Sequence, residues 1–386
     1  MKGPDPYRLF FPLGIVLGLG GVAIWPLFYF GVLTGYWGIS HAFLQSNGFL
    51  FCFISGFLLT AVPRFTGTKV PSLLWQWTLA AMVIWGAIAL ELQYYQMAQT
   101  VFAGAYIVLL VLVLSRFLKR ESGALPETFS LIGTALLTGT IGALLNAVAF
   151  WNIDIGGWAL AGKRALTEGM TLVLVLGVGG FLGPRLLGFD RLPVVQIVGL
   201  EDEHVRSQAI SKRTIYTVVG VLLAISLFVQ YGIGIPWMSF VRAGVASYVL
   251  FTTVNPWRKP AHRTTLAWCV WTSIWITMLG LWLVAFVPKY QVDFLHVLFI
   301  GGFSLIILAV GMRVTLSHGG HGLTSEKKNW PLRIGLITGL IAMLARAGAP
   351  FSKGYVMHLE LAAILWIVGL AIWGYRLIKL IAVAKR

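Results

Sequence analysis

The sequence predicts an all-α membrane protein of about twelve transmembrane helices, and three observations predict it. Of 386 residues, 58% are hydrophobic and only 11% are charged, where soluble domains carry about 25%. Apolar runs of roughly 18 or more residues recur from end to end, each long enough to cross a hydrocarbon core of about 30 Å. Basic residues gather in alternate loops, as the topology of helical membrane proteins requires.

The apolar runs are Leu9–Tyr29, His41–Ala61, Leu73–Leu90, Met97–Ser115, Phe129–Trp151 and Thr167–Leu187 in the first half. The second half gives Thr214–Val229, Pro236–Val254, Leu266–Val287, Phe294–Thr315, Leu332–Leu344 and Met357–Leu380. They are continuously apolar and too long for barrel strands, so helices are expected. No stretch remains for a soluble domain, and residues 1–386 read as a single polytopic domain. The opening MKGPDPYRLFFPLG lacks a small-residue cleavage site and reads as a retained first helix.

The net charge of +16 reflects topology, with no nucleic acid partner expected. Loops on the side of the N-terminus hold 23 Lys and Arg, among them Lys2, Arg64, Arg185, Arg191, Arg206, Arg313, Lys327, Lys328, Lys385 and Arg386. The opposite side holds five: Lys163, Arg164, Lys289, Arg346 and Lys353. Both termini are therefore expected in the cytoplasm. Arg242 falls inside the eighth run, where it either snorkels outward or pairs internally.

A repeat with a period of four helices is visible. An Arg follows a polar residue at an interval of 17 in helices 2, 6 and 10: Asn47 to Arg64, Glu168 to Arg185, His296 to Arg313. That interval rises about 25 Å, nearly one hydrocarbon thickness. Three four-helix repeats imply a pseudo-threefold arrangement. Glu168 is read as part of a capped start of helix 6, after Thr167. Gly179 and Gly183 on the same helix predict a close helix contact, and Trp37, Trp75, Trp151, Trp158, Trp237 and Trp330 an interfacial belt. Cys52 and Cys269 lie in apolar runs and are read as packing residues.

Histidine is distributed unevenly. His204 and His262 belong to polar loops, but His41, His296 and His358 open helices 2, 10 and 12 on the outer side. His318 and His321 close helix 10 on the inner side in the segment SHGGH, which suits a borderline metal although two His are an incomplete site. Neutral imidazole is a common haem ligand. Two His on different helices at equal depth can clamp a haem edge-on, and its propionates need cations such as Arg346 and Lys353. The alternative for these two is pairing with lipid phosphates, Asp293 or Glu360.

Several strings carry a resemblance: YRLFFPLG, HAFLQSNGFLFCFISGFLLTAVPRFTGT, LLNAVAFW and HVLFIGGFSLIILAVGMRVTLSHGG. Through them the chain resembles the NnrS family of bacterial membrane proteins over nearly its whole length. The resemblance implies a multi-pass inner-membrane protein of the nitric oxide and nitrosative-stress response, associated with haem and copper. It departs at helix 2, where the family pattern is close to His-Ala-His-Glu-Met. Here the string is His41-Ala42-Phe43-Leu44-Gln45, and Phe43 cannot ligate a metal. His318 matches an inner-end His of the family, whereas His321 stands where a basic residue is more common.

More distantly, the chain is similar to the main subunit of haem–copper oxidases and nitric oxide reductases. That likeness places His41 and His296 at the axial positions of a low-spin, b-type haem, with His358 as the substitute, and Arg346 and Lys353 near its propionates. Phe294 stands where the high-spin haem ligand would be, and helices 6 and 7 contain no His. No open catalytic metal site is therefore apparent. Nitric oxide and an electron donor are the implied partners besides the bilayer. Two other readings remain: a haem-free transporter or channel, and a degenerate family member without catalysis.

Overall fold

A computed structural model describes residues 5–35, 37–121, 125–189, 203–321 and 329–383, with the backbone alone over 203–209. Of the basic residues that set the expected topology, Lys2, Arg191, Lys327, Lys328, Lys385 and Arg386 lie outside the described residues. The side chains of His204 and Arg206 do too.

All regular structure among the described residues is helical, with no strand among them. Eleven helices are long and apolar enough to cross a membrane. They are α1 (Tyr7–Tyr29), α2 (Gly38–Thr66), α3 (Leu73–Glu91), α4 (Tyr95–Leu118), α5 (Glu127–Phe150) and α6 (Gly157–Leu186), followed by α7 (Ile210–Ile233). Beyond a shorter apolar helix, α8 (Met238–Val254), come α9 (Thr265–Phe286), α10 (Pro288–His318), α11 (Trp330–Phe351) and α12 (Tyr355–Val383). The chain is a multi-pass membrane protein. Its turns use residues suited to them: α7 stops at Gly234 (φ +89) and α8 at Asn255, both left-handed.

Two compact units are formed, one of Met1–Pro6 with Leu58–Trp257 and the other of Tyr7–Phe57 with Arg258–Arg386. The break falls inside α2.

Every expected apolar run is a helix, but several boundaries move, and the backbone of α7 is helical from Glu203 where Thr214 was expected. Helix α6 begins at Gly157, ten residues before the expected Thr167. Lys163 and Arg164 interrupt the apolar pattern there, yet both are helical. Glu168 is consequently well inside α6, which corrects its reading as a helix start. Helix α10 likewise opens at Pro288, so Asp293 is helical. Arg346, expected in a loop, occupies the last turn of α11 proper. In each case charged side chains hide the helix from hydropathy, and at α10 and α11 the two charges, Asp293 and Arg346, pair with each other.

The structure also decides the alternatives for Arg242. It is 1% exposed, and its Nε donates to Glu168 Oε1 at 2.5 Å, so it pairs internally. Among the glycines of α6, Gly183 packs on Val254 of α8, but Gly179 faces open space. The expected Gly179–Gly183 contact is thus half right; Gly180, against Thr253, is the second contributor.

The three helices of the sequence repeat share a local feature. Each opens with a short α-helical stretch, widens into π-helical turns and returns to α-helix. The π segments are Leu44–Leu50, Ala165–Gly169 and Val297–Ser304. Asn47 and Glu168 lie within theirs, and His296 immediately precedes its own. These helices span 29 to 31 residues, among the longest of the described residues. A fourth π turn, Val229–Ile233, closes α7. A π turn inserts a residue into the helical register and re-aims the side chains around it, and such turns concentrate at functional sites.

Close packing in the second unit depends on small residues. A Cβ added at Gly14, Gly18 or Gly21 of α1 would fall within 3.0 Å of Cys52 and Phe53, of Phe49, or of Leu44 and Gln45. These glycines let α1 lie directly on α2. Cys52 and Cys269 are fully buried, and the Cys269 thiol donates to the carbonyl of Leu305, as packing residues should.

Candidate functional site

His41 lies in the short α-helical opening of α2, Gly38–Phe43. Its Nδ1 is 2.8 Å from the carbonyl oxygen of Gly21 on α1. A carbonyl only accepts, so Nδ1 carries the hydrogen and a neutral ring keeps its lone pair on Nε2. The contact exists because Gly21 has no side chain: a Cβ there would meet Leu44 Cβ at 2.8 Å. One turn further along α2, Gln45 Nε2 donates to the Gly18 carbonyl at 3.0 Å. Trp25 meets the His41 ring edge-on at 5.4 Å.

His296 closes the α-helical opening of α10, Gln291–His296. Its Nδ1 donates to the carbonyl of Val292, 2.7 Å away and one turn back. This ring therefore also keeps its lone pair on Nε2 when neutral. Just beyond it the π turns begin, and the carbonyl of Phe299, five residues before Ser304, accepts from the Ser304 hydroxyl at 2.9 Å. Phe299 also flanks the His296 ring.

The two imidazoles come together. Their centroids are 6.5 Å apart and their planes differ by 9°. Two imidazoles on opposite sides of one metal, each about 2 Å from it, have centroids about 6.3 Å apart. A ligating His commonly donates its second ring nitrogen to a backbone carbonyl, which fixes the tautomer. Separation, parallelism and tautomer thus all suit a pair that holds one metal between them.

His358, the proposed substitute, lies in the first turn of α12 and is half-buried. Its Nδ1 is buried without a hydrogen-bond partner. Two residues on, Glu360 is buried and its Oε2 is similarly unpartnered.

The cations expected near a haem differ from one another. Arg346 is buried and forms an ion pair with Asp293 of α10. Tyr355, at the start of α12, donates to the same carboxylate at 3.4 Å, and its ring lies 5.8 Å from the guanidinium. The Asp293 alternative for Arg346 is therefore realised in the structure. Arg346, Asp293 and Tyr355 tie together the ends of α11, α10 and α12 from which His296 and His358 project. Lys353 is exposed in the connection between α11 and α12.

At the opposite end of α10, His318 packs against the ring of Tyr7. His321 Nε2 donates to the carbonyl of Leu380 at 3.0 Å. Among the described residues no three His, Cys, Asp or Glu side chains gather as a metal-binding group.

A family model described as NnrS protein matches residues 4–385. The chain belongs to the NnrS family. No curated protein matches it. NnrS membership points to a membrane protein of the nitric oxide response, in a family associated with haem and copper.

Some parts of this candidate site carry little sequence signal. Gly21 is one of several glycines in LGLGGVA, and only the packing of α1 on α2 singles it out. Tyr355 is a conventional interface residue until Arg346 and Asp293 are placed beside it. The one available clue was charge: Asp293 and Arg346 are ionisable residues in or beside apolar runs, which seldom occur without a partner.

Proposed function

We propose that this NnrS protein holds a b-type haem through His41 and His296 near the outer face of the bacterial inner membrane, and serves the nitric oxide response by electron transfer or sensing. The observation that carries this reading is the paired imidazole geometry, 6.5 Å between centroids and 9° between planes, with both Nδ1 atoms donating to backbone carbonyls. When bound, a haem with both axial positions filled supplies one-electron redox chemistry and no open site for reduction of a gas.

The chain's own residues have distinct tasks in this scheme. His41 and His296 offer Nε2, while Gly21 and Val292 orient the rings. Trp25 and Phe299 supply apolar surface beside them. Arg346 and the exposed Lys353 provide positive charge for propionates; Arg346 comes to that task already paired with Asp293, so Lys353 is the cation with more freedom to move. His358 is a reserve ligand, its Nδ1 buried and unpartnered.

Phe43 occupies the position of the family's second helix-2 His. Its side chain is buried, 2% exposed, and offers no donor, so a copper site built on that position is absent from the proposal. His318 and His321 remain a two-His pair and are not assigned a metal.

The distribution of basic residues supports both termini in the cytoplasm, with the His41 end outside. Reporter fusions at each terminus test this: signals characteristic of the cytoplasm are expected at both.

For the haem itself, the test is an absorption spectrum of purified protein expressed with adequate haem. A Soret band of stoichiometric intensity is expected, and its absence rejects the reading.

A further inference from the structure

In the first unit, a second cluster of buried charges lies far along the chain from the histidines. It is built where the opening of α6, Gly157–Arg164, packs on the π segment Val229–Ile233 that closes α7, with the π segment Ala165–Gly169 following on α6 and α8 alongside. Glu168 is fully buried and Arg242 is 1% exposed. Arg242 Nε donates to Glu168 Oε1 at 2.5 Å, and Nη2 donates to Gln230 Oε1 at 2.7 Å. The ring of Tyr231 lies 5.8 Å from the Arg242 guanidinium and 5.5 Å from that of Arg164.

Three polar atoms of this cluster are buried and lack hydrogen-bond partners: Arg242 Nη1, Arg164 Nε and Glu168 Oε2. Unsatisfied buried groups of this kind are costly, and charged ones most of all. Two guanidiniums lie by the Tyr231 ring and only one carboxylate is at hand, paired with Arg242, so the cluster also holds an excess positive charge.

We propose that this cluster binds a small planar oxyanion that keeps one acidic hydrogen, an anion of the bicarbonate class. Its oxygens accept from Arg242 Nη1 and Arg164 Nε, and its O–H donates to Glu168 Oε2. One such ligand satisfies all three atoms and cancels the excess charge. An anion without a hydrogen leaves the carboxylate oxygen unsatisfied and facing a like charge. Tyr231, with a guanidinium on either approach, holds the two arginines in place through cation–π contact.

The test is thermal unfolding of the full-length protein in detergent, titrated with bicarbonate, nitrate or chloride at matched pH and ionic strength. Ligand binding to the native state raises the midpoint in a saturable way. Bicarbonate is expected to do so, with an affinity at least about tenfold above that of nitrate, because nitrate leaves the Glu168 oxygen without a donor. Chloride is expected to give no saturable shift. Arg164→Gln leaves the Arg242–Glu168 pair intact and should weaken bicarbonate about tenfold. Arg164→Lys keeps the charge but loses the Nε donor and should weaken it too, which covers the case in which the first variant fails to fold. The absence of a saturable shift, nitrate equal to bicarbonate, or bicarbonate affinity unchanged in the Arg164 variants would each overturn the proposal.

Discussion

The imidazoles of His41 and His296 lie within 9° of parallel, their centroids 6.5 Å apart. Each ring is set by a hydrogen bond from its Nδ1 to a backbone carbonyl, of Gly21 in one case and Val292 in the other. The pair is therefore oriented by the helices themselves, which is the preorganisation that a bound metal rewards.

Replacement of either ligand removes half of that arrangement. His41→Ala and His296→Ala are each expected to convert a six-coordinate low-spin spectrum to a five-coordinate one or to lose the haem. Absorption of the purified variants checks this. A wild-type spectrum in either variant would reassign that ligand, with His358 the first substitute to examine.

Gly21 supports His41 from the neighbouring helix. In Gly21→Ala the new methyl meets Leu44 Cβ at 2.8 Å and Gln45 Nε2 at 2.7 Å, so α2 must shift from α1 and the His41 bond lengthens. Haem content per protein is expected to fall severalfold. Gly20→Ala, whose methyl meets nothing within 4 Å, is the control and should retain full occupancy.

The Asp293–Arg346 pair is buried, and removing one partner leaves the other charge alone. Asp293→Asn is expected to cost about 3–5 kcal/mol of stability. The double variant Asp293→Asn with Arg346→Gln should lose less than the sum of the two single losses. Thermal unfolding of the four proteins gives the coupling, and strict additivity would show that the pair does not act as one.

His318 and His321 are engaged in packing and in a single backbone hydrogen bond. His321→Ala should cost about 1 kcal/mol, the usual contribution of one hydrogen bond, and leave the optical spectrum as it was. Metal analysis of the His318→Ala and His321→Ala proteins should match the wild type.

Most of the architecture was legible in the sequence because membrane helices announce themselves by length and hydropathy. All twelve apolar runs are helices. The main errors are at α6, α7, α10 and α11, where Lys163, Arg164, Lys212, Arg213, Asp293 and Arg346 interrupted the apolar signal. A hydropathy window treats every charge as a helix boundary; the protein retains Asp293 and Arg346 inside by pairing them. The 17-residue interval of the repeat turns out to follow the π turns, since Asn47, Glu168 and His296 sit in or beside them. No sequence period reveals a π turn, because one extra residue in a turn leaves no compositional mark.

Of the candidate site, the histidine positions were readable from helix ends alone. What sequence reading lacked was orientation. The carbonyl of Gly21 sets the tautomer of His41 from a separate helix, and of the partners open to Arg346 the structure selects Asp293. Both depend on packing between helices, which one sequence without its fold does not specify.

Electron paramagnetic resonance of the oxidised, haem-replete protein tests the central claim most directly. Near-parallel imidazole planes on one iron give a rhombic low-spin signal, and that is the result predicted from the 9° angle between His41 and His296. A high-spin signal, or no haem signal in protein expressed with ample haem, would contradict a haem held by these two histidines.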